Sequence, residues 1–98
     1  MKRNQKQSEN AETAVRKVRF VYFSMPTRFI AYATEKALLI QIDKPDEQVD
    51  IWIPKSLIEV EQCEDDRSVT MCSLPYWKFK DSQLKQYFIP EKWIVRKI

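Results

Sequence analysis

The sequence predicts a mainly β (α+β) domain: a small antiparallel barrel or strongly curled sheet of five to six strands, with a short C-terminal helix. Three observations predict it. Two apolar segments, Thr34 to Ile42 and Val49 to Ser56, flank the polar loop Asp43 to Gln48, which contains Pro45; this is the pattern of a β-hairpin. A β-branched and aromatic run, Val18, Phe20, Val21, Tyr22 and Phe23, stops at Pro26 in the manner of a well-buried strand. After Asp81 the character changes, and Leu84, Tyr87 and Phe88 share one face at helical spacing.

Residues 1–14 hold Lys, Arg, Asn, Gln, Ser, Glu and Thr with almost nothing to bury, and are expected to form a disordered arm. Residues 15–98 then make a single β-rich domain. Its first strand runs from Arg16 to Met25. After a turn at Met25 to Arg28, Phe29 to Thr34 forms a second strand, and Glu35-Lys36 turns directly into Ala37 to Ile42. The alternative is one long bent strand, because tight two-residue turns favour Asn or Gly and neither is present there. In the next arm, two-residue periodicity puts Val49, Ile51 and Ile53 on one face, with Asp50 and Trp52 on the other. Pro54 has no N–H to give and ends the ladder, leaving Lys55-Ser56 at the strand exit.

Leu57 to Gln62 and Arg67 to Leu74 form a further hairpin. With its turn centred on Asp65-Asp66, Cys63 faces Ser68 and Cys72 faces Glu59, so the two cysteines read as reduced, part-buried thiols. Asp81 or Ser82 caps a helix in which Leu84, Tyr87 and Phe88 share one face, and Pro90 stops it. Trp93 to Ile98 is either a closing strand or one further helical turn.

Ninety-eight residues allow one domain, and 44% hydrophobic with 32% charged residues is the balance of a globular chain. No apolar run reaches the roughly 18 residues of a bilayer span, and the N-terminal residues are polar, so the expected location is cytoplasmic. The chain has no histidine and no glycine. Missing histidine removes the commonest general base and metal ligand; missing glycine removes the phosphate loops that need bare backbone. No catalytic residue, metal site or cofactor is therefore assigned, and the protein is expected not to be an enzyme. Glu59, Glu61, Glu64, Asp65 and Asp66 read as a solvated acidic turn rather than a Mg²⁺ site.

The strings TEKALLIQID at Thr34 to Asp43 and IWIPKS at Ile51 to Ser56, with a later Ile89-Pro90-Glu91-Lys92-Trp93, carry a resemblance. They are similar to a family of small uncharacterised proteins of phages, plasmids and integrated mobile elements. The resemblance covers about half of the chain. It departs from the family pattern in the loop Asp43 to Gln48, which lacks a glycine turn, and in the segment Tyr76 to Phe88. It implies a genomic setting and no reaction.

Charge is strongly segregated beneath a net +3. Residues 1–36 hold eight Lys and Arg against three Asp and Glu, a balance of +5; residues 37–66 hold two against nine, or −7; residues 67–98 hold seven against two, or +5. The basic C-terminal third is also aromatic. If extended, Trp77-Lys78-Phe79-Lys80 places rings and ammonium groups on opposite faces. One expectation is a nucleic-acid surface, single strands favoured, built from Trp52, Lys55, Trp77, Lys78, Lys80, Trp93, Arg96 and Lys97, with rings stacking on bases and cations tracking phosphates. The other is a protein-binding modulator or inhibitor of a host nucleic-acid enzyme, of anti-defence type, using Glu61, Glu64, Asp65 and Asp66 with an exposed Trp. A homodimer through an unpaired strand edge is a third arrangement.

Overall fold

The computed structural model describes residues 16–97. The arm expected at residues 1–14 lies outside them. Among the described residues seven strands form: β1 Lys17–Pro26, β2 Ile30–Ala33, β3 Ala37–Lys44, β4 Glu47–Pro54, β5 Glu59–Gln62, β6 Val69–Pro75 and β7 Lys92–Lys97. A 3₁₀ turn, Thr27–Phe29, follows β1, and two short helices, α1 Tyr76–Asp81 and α2 Leu84–Tyr87, precede β7.

The fold is mainly β and antiparallel, and the strands are divided between two sheets. One has the order β5-β6-β1-β7 and the other β2-β3-β4. Neither closes into a barrel, and while β2, β3 and β4 follow one another in sequence order, the strands of the four-stranded sheet do not. The reason lies at Pro26. It ends β1, and the 3₁₀ turn redirects the chain into the second sheet. Thr27 fixes that turn: its N–H donates to Ser68 O at 2.8 Å and its hydroxyl lies 2.8 Å from Thr70 Oγ1. β1 is thus left to pair with β6 on one side and β7 on the other.

The β3–β4 hairpin forms with its inner face Val49, Ile51 and Ile53 buried and Trp52 outside. Its ladder extends to Lys44 opposite Glu47, so Pro45-Asp46 alone makes the turn. β2 and β3 are separate strands. Thr34 supplies what Asn or Gly would have supplied: its Oγ1 accepts from the N–H of Lys36 and Ala37 at 3.2 and 2.9 Å.

The apolar faces of both sheets join one core, in which Phe23, Met25, Ile40, Ile53, Leu74 and Leu84 are almost fully enclosed. Both helices close it, through Phe79 and Leu84. Helix α1 starts directly after Pro75, so the segment Trp77 to Lys80 is helical rather than extended. The alternation of rings and lysines is therefore not a strand pattern; Phe79 points into the core while Trp77 stays half exposed. Ser82 links the helices, donating its hydroxyl to Phe79 O at 3.0 Å and accepting from Leu84 N–H at 3.1 Å. The C-terminal segment is a strand, held at its start by Glu91, whose N–H donates to Tyr22 O at 2.7 Å. Among the described residues no helix is long and apolar enough to cross a membrane.

Candidate nucleic-acid interface

The geometry begins at one end of β1. Lys17, Arg19 and Val21 lie on the core-side face, but only Val21 reaches the core. Strand β7 runs antiparallel beside it with Lys17 opposite Lys97, Arg19 opposite Val95 and Val21 opposite Trp93. Arg19 thereby overhangs the end of the core and finds aromatic rings there. Its guanidinium carbon is 5.5 Å from the Trp93 ring centroid and 5.9 Å from that of Tyr76. The two rings pack on each other at 4.9 Å and 59°. Lys80 Nζ, one helical turn from Tyr76, stands 5.6 Å over the same ring.

Beside this group opens a cleft of about 360 Å³ lined by Arg16, Lys17, Val18, Arg19, Tyr76 and Trp77. Trp77 and Trp93 are 51% and 47% exposed. The ion pairs among the described residues, Arg28 with Asp43 at 3.9 Å and Arg96 with Glu59 at 3.1 Å, use none of the corner's cations. A positive, ring-lined surface of this kind has the means to hold a planar group and an anion together.

Four of the expected residues, Trp77, Lys80, Trp93 and Lys97, are brought to this corner. The others go elsewhere. Lys78 is on α1, half-buried. Arg96 is next to Lys97 in sequence but on the opposite face of β7, with its guanidinium 4.1 Å over Phe20 and donating to Tyr22 Oη at 2.6 Å. Those bonds and the Glu59 carboxylate strengthen its hold on its proton, while the Tyr22 phenol, bonded first by Arg96 and then influenced by Ser73, is pushed below the ordinary tyrosine range. Trp52 and Lys55 belong to the other sheet. Trp52 lies opposite Leu39 on its outer face, and Lys55 follows β4 with its N–H bonded to Lys36 O.

The acidic residues separate as well. Glu61 is on edge strand β5, and Glu64 and Asp65 are exposed in the turn that follows. Asp66 is a turn-former: its Oδ1 accepts from Ser68 N–H at 3.0 Å and from Ser68 Oγ at 2.6 Å, which lowers its carboxyl below the usual range. Among the described residues no three His, Cys, Asp or Glu side chains group to hold a metal ion.

Arg16, Lys17, Arg19 and Tyr76 were not expected at the site. The alternation of Lys17 and Arg19 with Val18 and Phe20, continuous with buried Val21, Phe23 and Met25, is the signal that the start of β1 projects cations beyond the core. Comparison with known protein families, curated proteins and solved structures found no match.

Proposed function

We propose that this protein is a non-enzymatic binding module that holds single-stranded nucleic acid on the corner formed by Arg19, Tyr76, Trp77, Lys80 and Trp93. The carrying observation is Arg19, set over both the Tyr76 and the Trp93 ring with no carboxylate partner among the described residues. A cation lying over two aromatic rings offers phosphate attraction and base stacking at one place. Stacking contributes about 1–3 kcal/mol per base and tolerates any base, because every base has a π-face. Lys17 directly opposite Lys97 supports the same reading. Like charges facing each other across a ladder are destabilising, and a bound phosphate relieves the repulsion. The similarity of TEKALLIQID and IWIPKS to proteins of phages and mobile elements gives such a module its setting.

The test is a fluorescence-anisotropy titration against labelled single-stranded and duplex oligonucleotides at two salt concentrations. Salt-sensitive binding, tighter to single strands and abolished by Arg19→Glu with Lys80→Glu, is the expected result. Exposed Glu61, Glu64 and Asp65 along one edge and turn favour the second reading, a modulator of a host nucleic-acid enzyme. No salt-sensitive binding to either oligonucleotide, with Asp65→Asn weakening capture of a protein target, would establish that reading in its place.

A further inference from the structure

On the outer face of the four-stranded sheet, ladder pairing sets four side chains in one row across all four strands. Glu59 is opposite Ser73, Ser73 opposite Tyr22, and Tyr22 opposite Lys92. Three of the four, Glu59, Ser73 and Tyr22, form the wall of a cleft of about 280 Å³ that Val60, Glu61 and Met71 complete. Ser73 is the unexplained member. It is 3% exposed, and its hydroxyl has no hydrogen-bond partner among the described residues. It lies close enough to Tyr22 to influence the phenol's acidity, yet outside bonding geometry, and geometry decides that it is unpartnered. A buried hydroxyl left without a bond costs about 1–3 kcal/mol; the Ser73 oxygen is closed off in this conformation, and a partner in the cleft reaches it once the side chain turns outward.

The neighbouring groups define what fills it. Glu59 is 71% exposed and bonded through Oε1 to Arg96, leaving Oε2 without a bond among the described residues. An ionised carboxylate only accepts, and a hydroxyl both donates and accepts. Met71 supplies apolar surface beside them, and the Tyr22 ring lies there beneath Lys92 Nζ at 4.9 Å. Directly opposite residues stand about 4.5–5.5 Å apart at Cβ, close to the width of a base edge.

We propose that the row Glu59-Ser73-Tyr22 is a base-reading subsite that takes an unpaired guanine. Guanine alone among the common bases presents two adjacent donors, N1–H and the 2-amino group, to one carboxylate, with O6 beside them to accept from the Ser73 hydroxyl. Adenine and cytosine place a bare ring nitrogen next to their amino group, where it repels the carboxylate. Thymine and uracil flank their one N–H with two carbonyls. The inference rests on the single-strand reading above and adds base preference to it. The two surfaces share β1, whose successive side chains face the corner and the cleft in turn: Arg19 on one side, Tyr22 on the other.

The test uses the full chain and two labelled probes, an oligothymidine and the same strand with one central guanine, in anisotropy titrations at fixed salt. The guanine strand is expected to bind roughly tenfold tighter, the scale of one good bidentate base contact. Ser73→Ala and Glu59→Gln each remove that preference and leave oligothymidine binding unchanged, whereas Arg19→Glu with Lys80→Glu abolishes binding of both probes. Glu59 is exposed, so its variant keeps the test sound if Ser73→Ala perturbs folding. Equal binding of both probes, or a preference that survives both substitutions, overturns the subsite alone. Binding of neither probe overturns the subsite together with the reading beneath it.

Discussion

The ring of Phe79 on α1 lies 5.4 Å from that of Phe23 on β1, tilted by 51°, and Phe88 stacks on the same Phe23 ring at 5.1 Å. Phe23 is thus held between two rings from the helical segment. The helices are consequently part of the core and set where Tyr76 and Trp77 stand. Phe79→Ala removes a ring that is 3% exposed, and about 3–5 kcal/mol of stability should go with it. Against a typical total of roughly 5–15 kcal/mol, that is a large fraction. A fall in the urea midpoint with unchanged slope is the expected signature.

Much of the fold was legible because period-two burial is unambiguous where one face is aliphatic. Val49, Ile51 and Ile53 specify their hairpin, and Trp52 its outer side, without help from elsewhere. Topology was less legible, since nothing local says that β1 pairs with β6 and β7. Those contacts join residues as far apart as Lys17 and Lys97. The site suffered in the same way. Tyr76 and Arg19 meet only through that long-range pairing, and Trp77-Lys78-Phe79-Lys80 alternates like a strand although Pro75 and the burial of Phe79 make it a helix.

Asp66 settles a register that sequence symmetry places one residue away. A turn centred between Asp65 and Asp66 pairs Cys72 with Glu59, whereas Cys72 faces Val60 and Glu59 faces Ser73. The cause is the Asp66 side chain, which accepts two bonds from Ser68 and so centres the turn on itself. Its lowered carboxyl means that this support is fully present above the ordinary aspartate value and is lost as pH falls through the lowered one. Asp66→Ala should therefore lower the melting temperature at neutral pH and flatten the acid limb of the stability curve. An unchanged acid limb would place the register under other control.

The register also decides the thiols. Both cysteines are free, Cys72 being fully enclosed and pushed up to about 12 by burial. Native protein should accordingly lose one thiol, Cys63, to an aromatic disulfide reagent and release the second only on unfolding. Because the unfolded chain gives up its Cys72 proton first, stability should fall as pH rises from the ordinary thiol value toward 12. Cys72→Ala removes that fall. Rapid modification of both thiols in native protein would contradict the burial.

Tyr22 tests the outer face without any ligand. Its phenol ionises early because Arg96 donates to Oη and, to a lesser degree, because Ser73 is near. Ultraviolet absorbance titration should show a tyrosine ionising below the ordinary phenol range, and Arg96→Gln should raise it. The sign is that of a depressed acid. The extra stability exists only above the ordinary phenol value and disappears as pH falls through the lowered one, so the substitution should leave this titration-linked stability unchanged near neutrality.

At the corner, charge and stacking can be separated by salt. Arg19→Gln removes one cation, so affinity should drop and the dependence of log K on log salt should weaken by about 0.7, the contribution of one single-strand phosphate contact. Trp93→Ala removes a ring that is 47% exposed and should cost about 1–3 kcal/mol of binding without altering the slope. Trp52, on the other sheet, provides the control, since it is exposed to a similar degree and has neither Arg19 nor Tyr76 beside it. If Trp52→Ala weakens binding as much as Trp93→Ala, the strand lies on the three-stranded sheet and the corner is not the interface. If Trp93→Ala instead changes the slope as Arg19→Gln does, the ring acts by positioning Arg19 rather than by stacking on a base.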